Sequence, residues 1–293
     1  MQPHDRRKGA VRLNEDWNVM TDTSFVGGQV PKVAEKHVNL WWLAEKIGAP
    51  LLFSLTLLFL WEVLCRLLSV PEVILPTASA TFAALWEFRE VIFQNAVVTL
   101  WTTLVGFCLA IVTGLLLGVA VGWHSAVYSA VYPIMIAFNS VPKVAVVPVL
   151  ILWFGLGAVP AILTAFLISF FPIVVNVATG LATVEPELED VLRALGASKM
   201  TVMKKVGIPR SLPHFFGSLK IAITLAFIGA VVAETSGASS GLGKLMLDAQ
   251  AAFQVPVVFA ALIVLSVLGI VLYAVTAFIE YRYTGWAHRS NNA

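Results

Sequence analysis

VEPELEDVLRALGASKMTVMKKVGIPRSLP, running from Val184 to Pro213, is a charged island between two long apolar stretches. The chain around it is built for lipid. Of its 293 residues, 59% are hydrophobic and 12% charged, against roughly 25% charged in a soluble domain. Lipid therefore replaces water over much of the surface, and a structured, charged segment kept in water is a place to touch something. The net charge of +2 is too small to suggest nucleic acid, and no basic run with interleaved aromatics occurs. Cys65 and Cys108 both sit in apolar runs. They read as small packed side chains rather than as a disulfide or thiolate metal site.

A helix crosses a bilayer with about 20 mostly apolar residues. Working outward from the island, six runs qualify: about Ile47–Val70, Ala96–Trp123, Val127–Phe154, Val159–Val184, Phe215–Glu234 and Val255–Tyr281. The expected fold is an all-α integral membrane domain over residues 46–284, with 184–213 as the loop between the fourth and fifth spans. Pro133, Pro142 and Pro148 interrupt the third run and either split it or make it dip. Thr77 and Ser79 are candidate caps for a short helix, Ala80–Phe93, near the opposite surface. Residues 1–45 read as a polar, flexible tail, ending in Asn39-Leu-Trp-Trp-Leu43, whose indoles suit a membrane interface. Residues 285–293 form a short C-terminal end. Lys and Arg sort to one side: the tail (Arg6, Arg7, Lys8, Arg12, Lys32, Lys36, Lys46), the island (Arg193, Lys199, Lys204, Lys205, Arg210) and the end (Arg282, Arg289). The other side has Arg66, Arg89 and Lys244. The positive-inside rule then places tail, island and C-terminus on the cytoplasmic side of a multi-pass membrane protein.

Inside the island, Glu185, Glu187, Glu189 and Asp190 cluster around Pro186 at a helix start, where the helix dipole favours carboxylates and proline fits the first turn. Val191, Leu192 and Leu195, then Met200, Val202 and Met203, keep helical apolar spacing around Gly196. The pattern predicts a helix, a glycine turn and a second helix from Lys199 capped by Ser198. Lys204, Lys205 and Arg210 are expected near that second helix's C-terminal end. Two readings stay open on these residues alone, a docking element for a partner and an ordinary charged connector.

The arrangement resembles the cytoplasmic EAA loop of ABC-importer permeases. That motif runs Glu-Ala-Ala, three residues, Gly, nine residues, Ile, one residue, Leu-Pro. Here Asp190-Val191-Leu192, Gly196, Val206 and Ile208-Pro209 occupy it. Asp190 replaces the usual Glu, and Val191 and Leu192 replace the alanines. Val141-Pro-Lys-Val-Ala-Val-Val-Pro-Val-Leu-Ile-Leu-Trp-Phe-Gly-Leu-Gly157, Phe170-Phe-Pro-Ile-Val-Val-Asn176, Val232-Ala-Glu-Thr-Ser-Gly-Ala-Ser-Ser-Gly-Leu-Gly243 and Leu75-Pro76 look like the nitrate, sulfonate and taurine subfamily, over about Pro71–Tyr281. Thr102 departs from it, standing where many relatives carry Arg. The resemblance implies a transport subunit of the bacterial plasma membrane that is not itself an enzyme. Two permease copies form the path for a small anionic solute of nitrate, sulfonate or taurine type, with thiamin precursors as the alternative. An external, periplasmic binding protein delivers the solute. Two cytoplasmic ABC ATPase subunits, holding the ATP and Mg, dock on the island. By this resemblance Glu189, Asp190, Leu192, Gly196, Ala197, Ser198, Lys199, Met200, Lys204 and Pro209 couple the ATPases to the membrane.

Polar groups within apolar runs are the remaining candidates, because a charge at mid-bilayer costs about 2.5–3.5 kcal/mol. Glu62 and Arg66 are four apart and read as a structural pair. Lys143 either faces the path or steadies broken backbone. Glu234, beside Ser236 and Ser239, either lines or gates the outer mouth, or packs an outer loop; Asn176 joins them as a path candidate. Gly114, Gly118 and Gly122 make a small face for close helix approach, against a neighbour in this chain or in its twin. Ala238–Lys244 falls short of a phosphate-binding loop, lacking the first Gly and the final Ser or Thr. Gly237-Ala-Ser239-Ser-Gly241 matches a hydrolase nucleophile elbow. Its use as a membrane-embedded hydrolase through Ser239 is the alternative of a different class, but His124 and His214 fall at the far ends of their spans.

Overall fold

The computed structural model describes residues 40–182, 191–192 and 194–284, and among them every regular element is a helix. The expected tail up to residue 39 and the end 285–293 lie outside the described residues. The chain divides into two units, Met1–Thr56 and Leu57–Ala293. In the first, the described part is the opening of helix α1 (Leu40–Leu67). Leu40 to Leu43, expected as an interfacial anchor, form its first turn. Further along, the Ser54 and Thr56 hydroxyls donate to the Pro50 and Leu52 carbonyls at 2.8 Å, so neither is left unsatisfied in lipid.

The second unit continues with α2 (Ala78–Glu87), α3 (Arg89–Gly122), α4 (Ser125–Ser140), α5 (Val147–Phe154), α6 (Ala158–Ala182), α7 (Lys199–Val202), α8 (Ile208–Gly237), α9 (Leu242–Ala251) and α10 (Val255–Thr284). Among the described residues, five helices are long and apolar enough to span a membrane, or six spans if the bent pair 126–140 and 143–154 counts as one. Several boundaries differ from expectation: α1 opens at Leu40 rather than near Ile47, and α8 at Ile208 rather than near Phe215. The short helix closes at Glu87, and Arg89–Phe93 belong to α3, because Phe88 leaves helical geometry (φ −95°, ψ 17°) before the chain restarts. Of the three prolines in the third run, Pro142 marks the break, a 68° bend. Pro133 lies within α4. Pro148 occupies the first turn of α5, where its missing N–H has no partner to lose.

The core lies between α3, α6 and α8. Ala110, Ala165, Ala222, Ala226 and Ala230 are fully buried, and such small side chains bring backbones close where lipid offers no hydrophobic drive. The glycine face of α3 meets α6 of the same chain. A Cβ on Gly114, Gly118 or Gly122 would lie 2.9 Å from Ile173 Cβ, 2.6 Å from Val177 Cβ and 2.9 Å from Ala178 O. Gly106 extends the face, 2.6 Å from Ala165 Cβ. A second core joins α2 and the start of α3 to α9 and α10 through Ala84, Ile92, Leu242, Ala260 and Ala261.

Polar pairs then pin helix ends. Arg66 Nε donates to Glu62 Oε1 at 2.6 Å, and Glu62 Oε2 accepts the Ser79 N–H at 2.9 Å. The pair thus sits on the N-terminus of α2, whose cap is Thr77. Lys220 of α8 reaches Glu280 of α10 at 2.6 Å, a pair that spacing in the sequence does not reveal. Removing one partner should leave a part-buried charge alone. Lys220→Met is expected to cost about 1–3 kcal/mol. The double variant Lys220→Met with Glu280→Gln should recover part of that loss, read as thermal stability in detergent.

Candidate functional site

The described part of the island around Gly196 is closed by hydrogen bonds into a turn. Gly196 takes φ +84°, a conformation costly for any residue bearing a Cβ. The Ala197 N–H donates back to the Leu192 carbonyl at 3.0 Å, the six-to-one bond of a Schellman ending. Ser198 Oγ accepts the Thr201 N–H at 3.3 Å, so the expected cap is present. Leu195, Gly196, Ser198 and Met200 are exposed, with Leu192 and Ala197 half-buried. Of Lys199 the backbone alone is described, and Glu189 and Asp190 lie outside the described residues.

One expectation for this segment does not hold. The helix from Lys199 has no C-terminus near Lys204 and Lys205. It passes through a wide turn, Met203–Gly207, where the Ile208 N–H bonds to the Met203 carbonyl, and continues as α8. Pro209 explains the widening: it has no N–H to give and would clash with a carbonyl in regular helix. Lys204 and Lys205 are exposed on this wide turn rather than at a helix end. The described turn is therefore joined, through α7 and the wide turn, to a helix ending at Gly237.

At that other end, Glu234 is 1% exposed and turned onto α3. Its Oε2 accepts the Thr99 hydroxyl at 2.9 Å and the Gly243 N–H at 3.0 Å. Its Oε1 accepts the Thr102 hydroxyl at 3.4 Å. Thr99 Oγ1 also accepts the Leu242 N–H, and Asn95 Oδ1 the Gly241 N–H, both at 2.8 Å. The loop 238–243 is thus sewn to α3. Gly241 sits at φ +111°, and a Cβ there would lie 2.3 Å from the Glu234 carboxyl carbon. Gly241 and Gly243 of the look-alike nucleotide and hydrolase motifs make room for Glu234, while Gly237 faces Ile151 and Leu156. Thr102, the departure noted in the sequence, is one of its two hydroxyl partners. Asn95 and Thr99 were invisible to sequence reasoning, because a Thr in an apolar run carries no address for a carboxylate 135 residues away. Ser236 is exposed and donates to the Val232 carbonyl of its own helix; Ser239 is exposed.

Lys143 stands at the bend between α4 and α5. Its Nζ donates to Asn139 Oδ1 at 2.8 Å and Asn139 O at 3.2 Å, and lies 5.7 Å from the Phe171 ring centre. Among the described residues no carboxylate lies within ion-pair distance of it. Asn176 donates to the Pro172 carbonyl of its own helix at 2.8 Å and is half-buried. The structure thus separates the candidates: the Gly196 turn, Lys143 with its cavity, and Glu234 occupy three levels of the bundle. The hydrolase reading fails on geometry. His214 is in the second turn of α8 and Ser239 lies past its end, roughly 35 Å apart along the helix.

Residues 110–285 match the family described as "Binding-protein-dependent transport system inner membrane component". The formylaminopyrimidine transport permease protein ThiX of Halalkalibacterium halodurans is 33% identical over 237 residues, 81% of this chain and 95% of that protein. The riboflavin transport system permease protein RibX of Chloroflexus aurantiacus is 32% identical over 242 residues, 82% of this chain and 90% of RibX. SsuC of Bacillus subtilis, whose name assigns it provisionally to aliphatic sulfonates transport, is 30% identical over 80% of this chain and 86% of its own length. A chain of the MetNI methionine ABC transporter in an inward-facing conformation shares the fold, with a TM-score of 0.58 at 22% identity over 67% of this chain and 98% of that one. These relatives include pyrimidine, flavin and sulfonate permeases, so the nitrate, sulfonate and taurine group expected from the sequence is not singled out.

Proposed function

The chain belongs to the family of binding-protein-dependent transport system inner membrane components, and on that premise we propose how this permease subunit works. Two copies of the chain form the path. Two ABC ATPase subunits, which hold the ATP and Mg, seat the Gly196 turn with Leu192, Ala197, Ser198, Lys199, Met200, Lys204 and Pro209, joined by Glu189 and Asp190. That end, with both termini, faces the cytoplasm, a reading that the distribution of Lys and Arg supports. A binding protein outside delivers solute to the Gly241 end, where Ser236 and Ser239 edge the mouth and Glu234 holds it shut. Lys143 and Asn176 lie along the route.

The observation that carries this reading is mechanical. The Gly196 turn is locked by its own hydrogen bonds, and from Lys199 to Gly237 the chain is helical without a loop. At 1.5 Å per residue this makes a rod of about 55 Å. A push on the turn is delivered to α8, which is packed on α6 through the close approach of Gly229 to Ala165. A loose connector would dissipate it.

For the solute, a thiamin-precursor-like planar heterocycle is favoured over nitrate, sulfonate or taurine. ThiX and RibX carry heterocycles in their names, and the cavity beside Lys143 is apolar and aromatic. Affinity capture of the chain from native membranes tests the coupling. A soluble ATPase should accompany the wild type. Lys204→Glu with Lys205→Glu, two exposed positions, should weaken that association about tenfold or more through like-charge placement while leaving membrane insertion intact. Undiminished ATPase recovery from the double variant would refute the docking role.

A further inference from the structure

A cavity of about 480 Å³ opens between α3, α4 and α6, lined by Leu117, Phe138, Lys143, Phe170, Phe171 and Val174 among others. Its volume falls in the range of small-molecule sites, roughly 300–1,000 Å³. Lys143 is its one charged lining residue. We propose that this cavity is a stopping point for a planar, uncharged or weakly acidic aromatic heterocycle, held by its faces against the phenylalanines and by one acceptor atom on Lys143. The inference rests on the transport reading above and deepens it.

Three features favour that occupant. First, Asn139 takes two of the three ammonium hydrogens with its carbonyl and amide oxygens. One donor is left, enough for a ring nitrogen or carbonyl. A nitrate or sulfonate would bring three oxygens against lining side chains that, Lys143 apart, carry no donor, and each unsatisfied polar group costs about 1–3 kcal/mol. Second, Phe138, Phe170 and Phe171 present rings to the space, and aromatic pairs gain about 0.5–1.5 kcal/mol beyond their buried area. The ammonium over Phe171 fixes the polar end beside an aromatic wall. Third, Lys143 is deep. Its ammonium lies over Phe171, near the middle of the 25-residue α6, so roughly 15–20 Å of helix separates it from either end. A lipid headgroup at the membrane surface cannot reach it, so a phospholipid would fill the cavity and leave the ammonium unused.

Lumichrome is a suitable probe, being planar, tricyclic, neutral and fluorescent. The transporter, this chain with its ATPase subunits, is placed in lipid nanodiscs and titrated by fluorescence anisotropy, with empty nanodiscs as the lipid baseline. Saturable binding is expected, displaced by 4-amino-2-methylpyrimidine and not by nitrate or taurine. Lys143→Met should weaken it about tenfold, the loss of one charge-assisted hydrogen bond. Leu117→Trp, at a half-exposed wall position, should abolish it by filling the space. Equal displacement by nitrate or taurine, displacement by oleate alone, or unchanged binding in both variants would overturn the proposal. ATPase recovery is measured on the same samples. If it persists while lumichrome fails, the cavity assignment falls and the transport reading stands; if no ATPase accompanies the wild type, the transport reading itself fails.

Discussion

Gly118→Leu should yield chain that enters the membrane and never folds. A Cβ alone at this position would stand 2.6 Å from Val177 Cβ, 2.8 Å from Val177 Cγ1 and 3.0 Å from the Val174 carbonyl oxygen. Backbone and a β-branched side chain are the obstacles, and neither is the free end of a flexible group. Even Gly118→Ala should cost about 1–3 kcal/mol, the usual penalty of overpacking. Leucine adds three more carbons and must drive α3 away from α6. Those two helices bring Phe107, Ala110, Ile173 and Val177 into one core with α8, so separation there dismantles the unit. Leucine makes α3 more apolar, and insertion should not suffer. The expected signature is therefore normal membrane-fraction abundance with loss of a monodisperse peak after detergent extraction. Gly217→Ala is the control. Nothing lies within 4 Å of a Cβ there, and replacing a helical glycine by alanine gains about 1 kcal/mol. If Gly118→Leu extracts as well as this control, the α3–α6 contact is not what holds the bundle.

That contact shows which parts of the fold can be read from sequence. The apolar runs were legible because crossing a bilayer fixes their length and composition, and both are local. The four-residue spacing of Gly114, Gly118 and Gly122 said that a helix comes close, but the identity of that helix is a tertiary fact. Prolines were legible as interruptions and not as geometry. Pro133 and Pro148 have their missing N–H groups absorbed, one within α4 and one in the first turn of α5, while Pro142 sits at the bend. In the island, Gly196 and Ser198 behaved as local rules require. The wide turn before Pro209 did not announce itself, since a helix that swallows a proline and one that stops before it look alike in composition. Glu234 was the hardest to read. Beside serines and glycines it resembles a wet loop, and its burial is decided by Thr99 and Thr102 on α3, a different span, and by the loop that Asn95 holds at Gly241.

Glu234→Ala should release the loop at the Gly241 end. The carboxylate receives three donors, from Thr99, Thr102 and the Gly243 N–H. The threonines have fallback acceptors one turn away, at Asn95 O and Thr99 O. The Gly243 N–H has no such fallback, and burying it unpaired costs about 1–3 kcal/mol. Its network partners at Gly241 and Leu242 weaken with it. Ser240→Cys, at an exposed loop position, gives the readout, with the loop's deeper neighbour Leu242→Cys, fully buried, as the comparison. In the native background the cysteine at 242 should resist a membrane-impermeant maleimide and the one at 240 should react. With Glu234→Ala both should react, and under the proposed gating role solute-independent ATP hydrolysis should rise. Gly241→Ala separates sterics from bonding. Its Cβ clashes with the Glu234 carboxyl, and its φ of +111° is strained for alanine regardless. Combined with Glu234→Ala, the clash vanishes and the strain remains, so the double variant should cost less than the sum of the singles. Strict additivity, with Leu242→Cys still protected, would show that the carboxylate neither crowds Gly241 nor holds the loop.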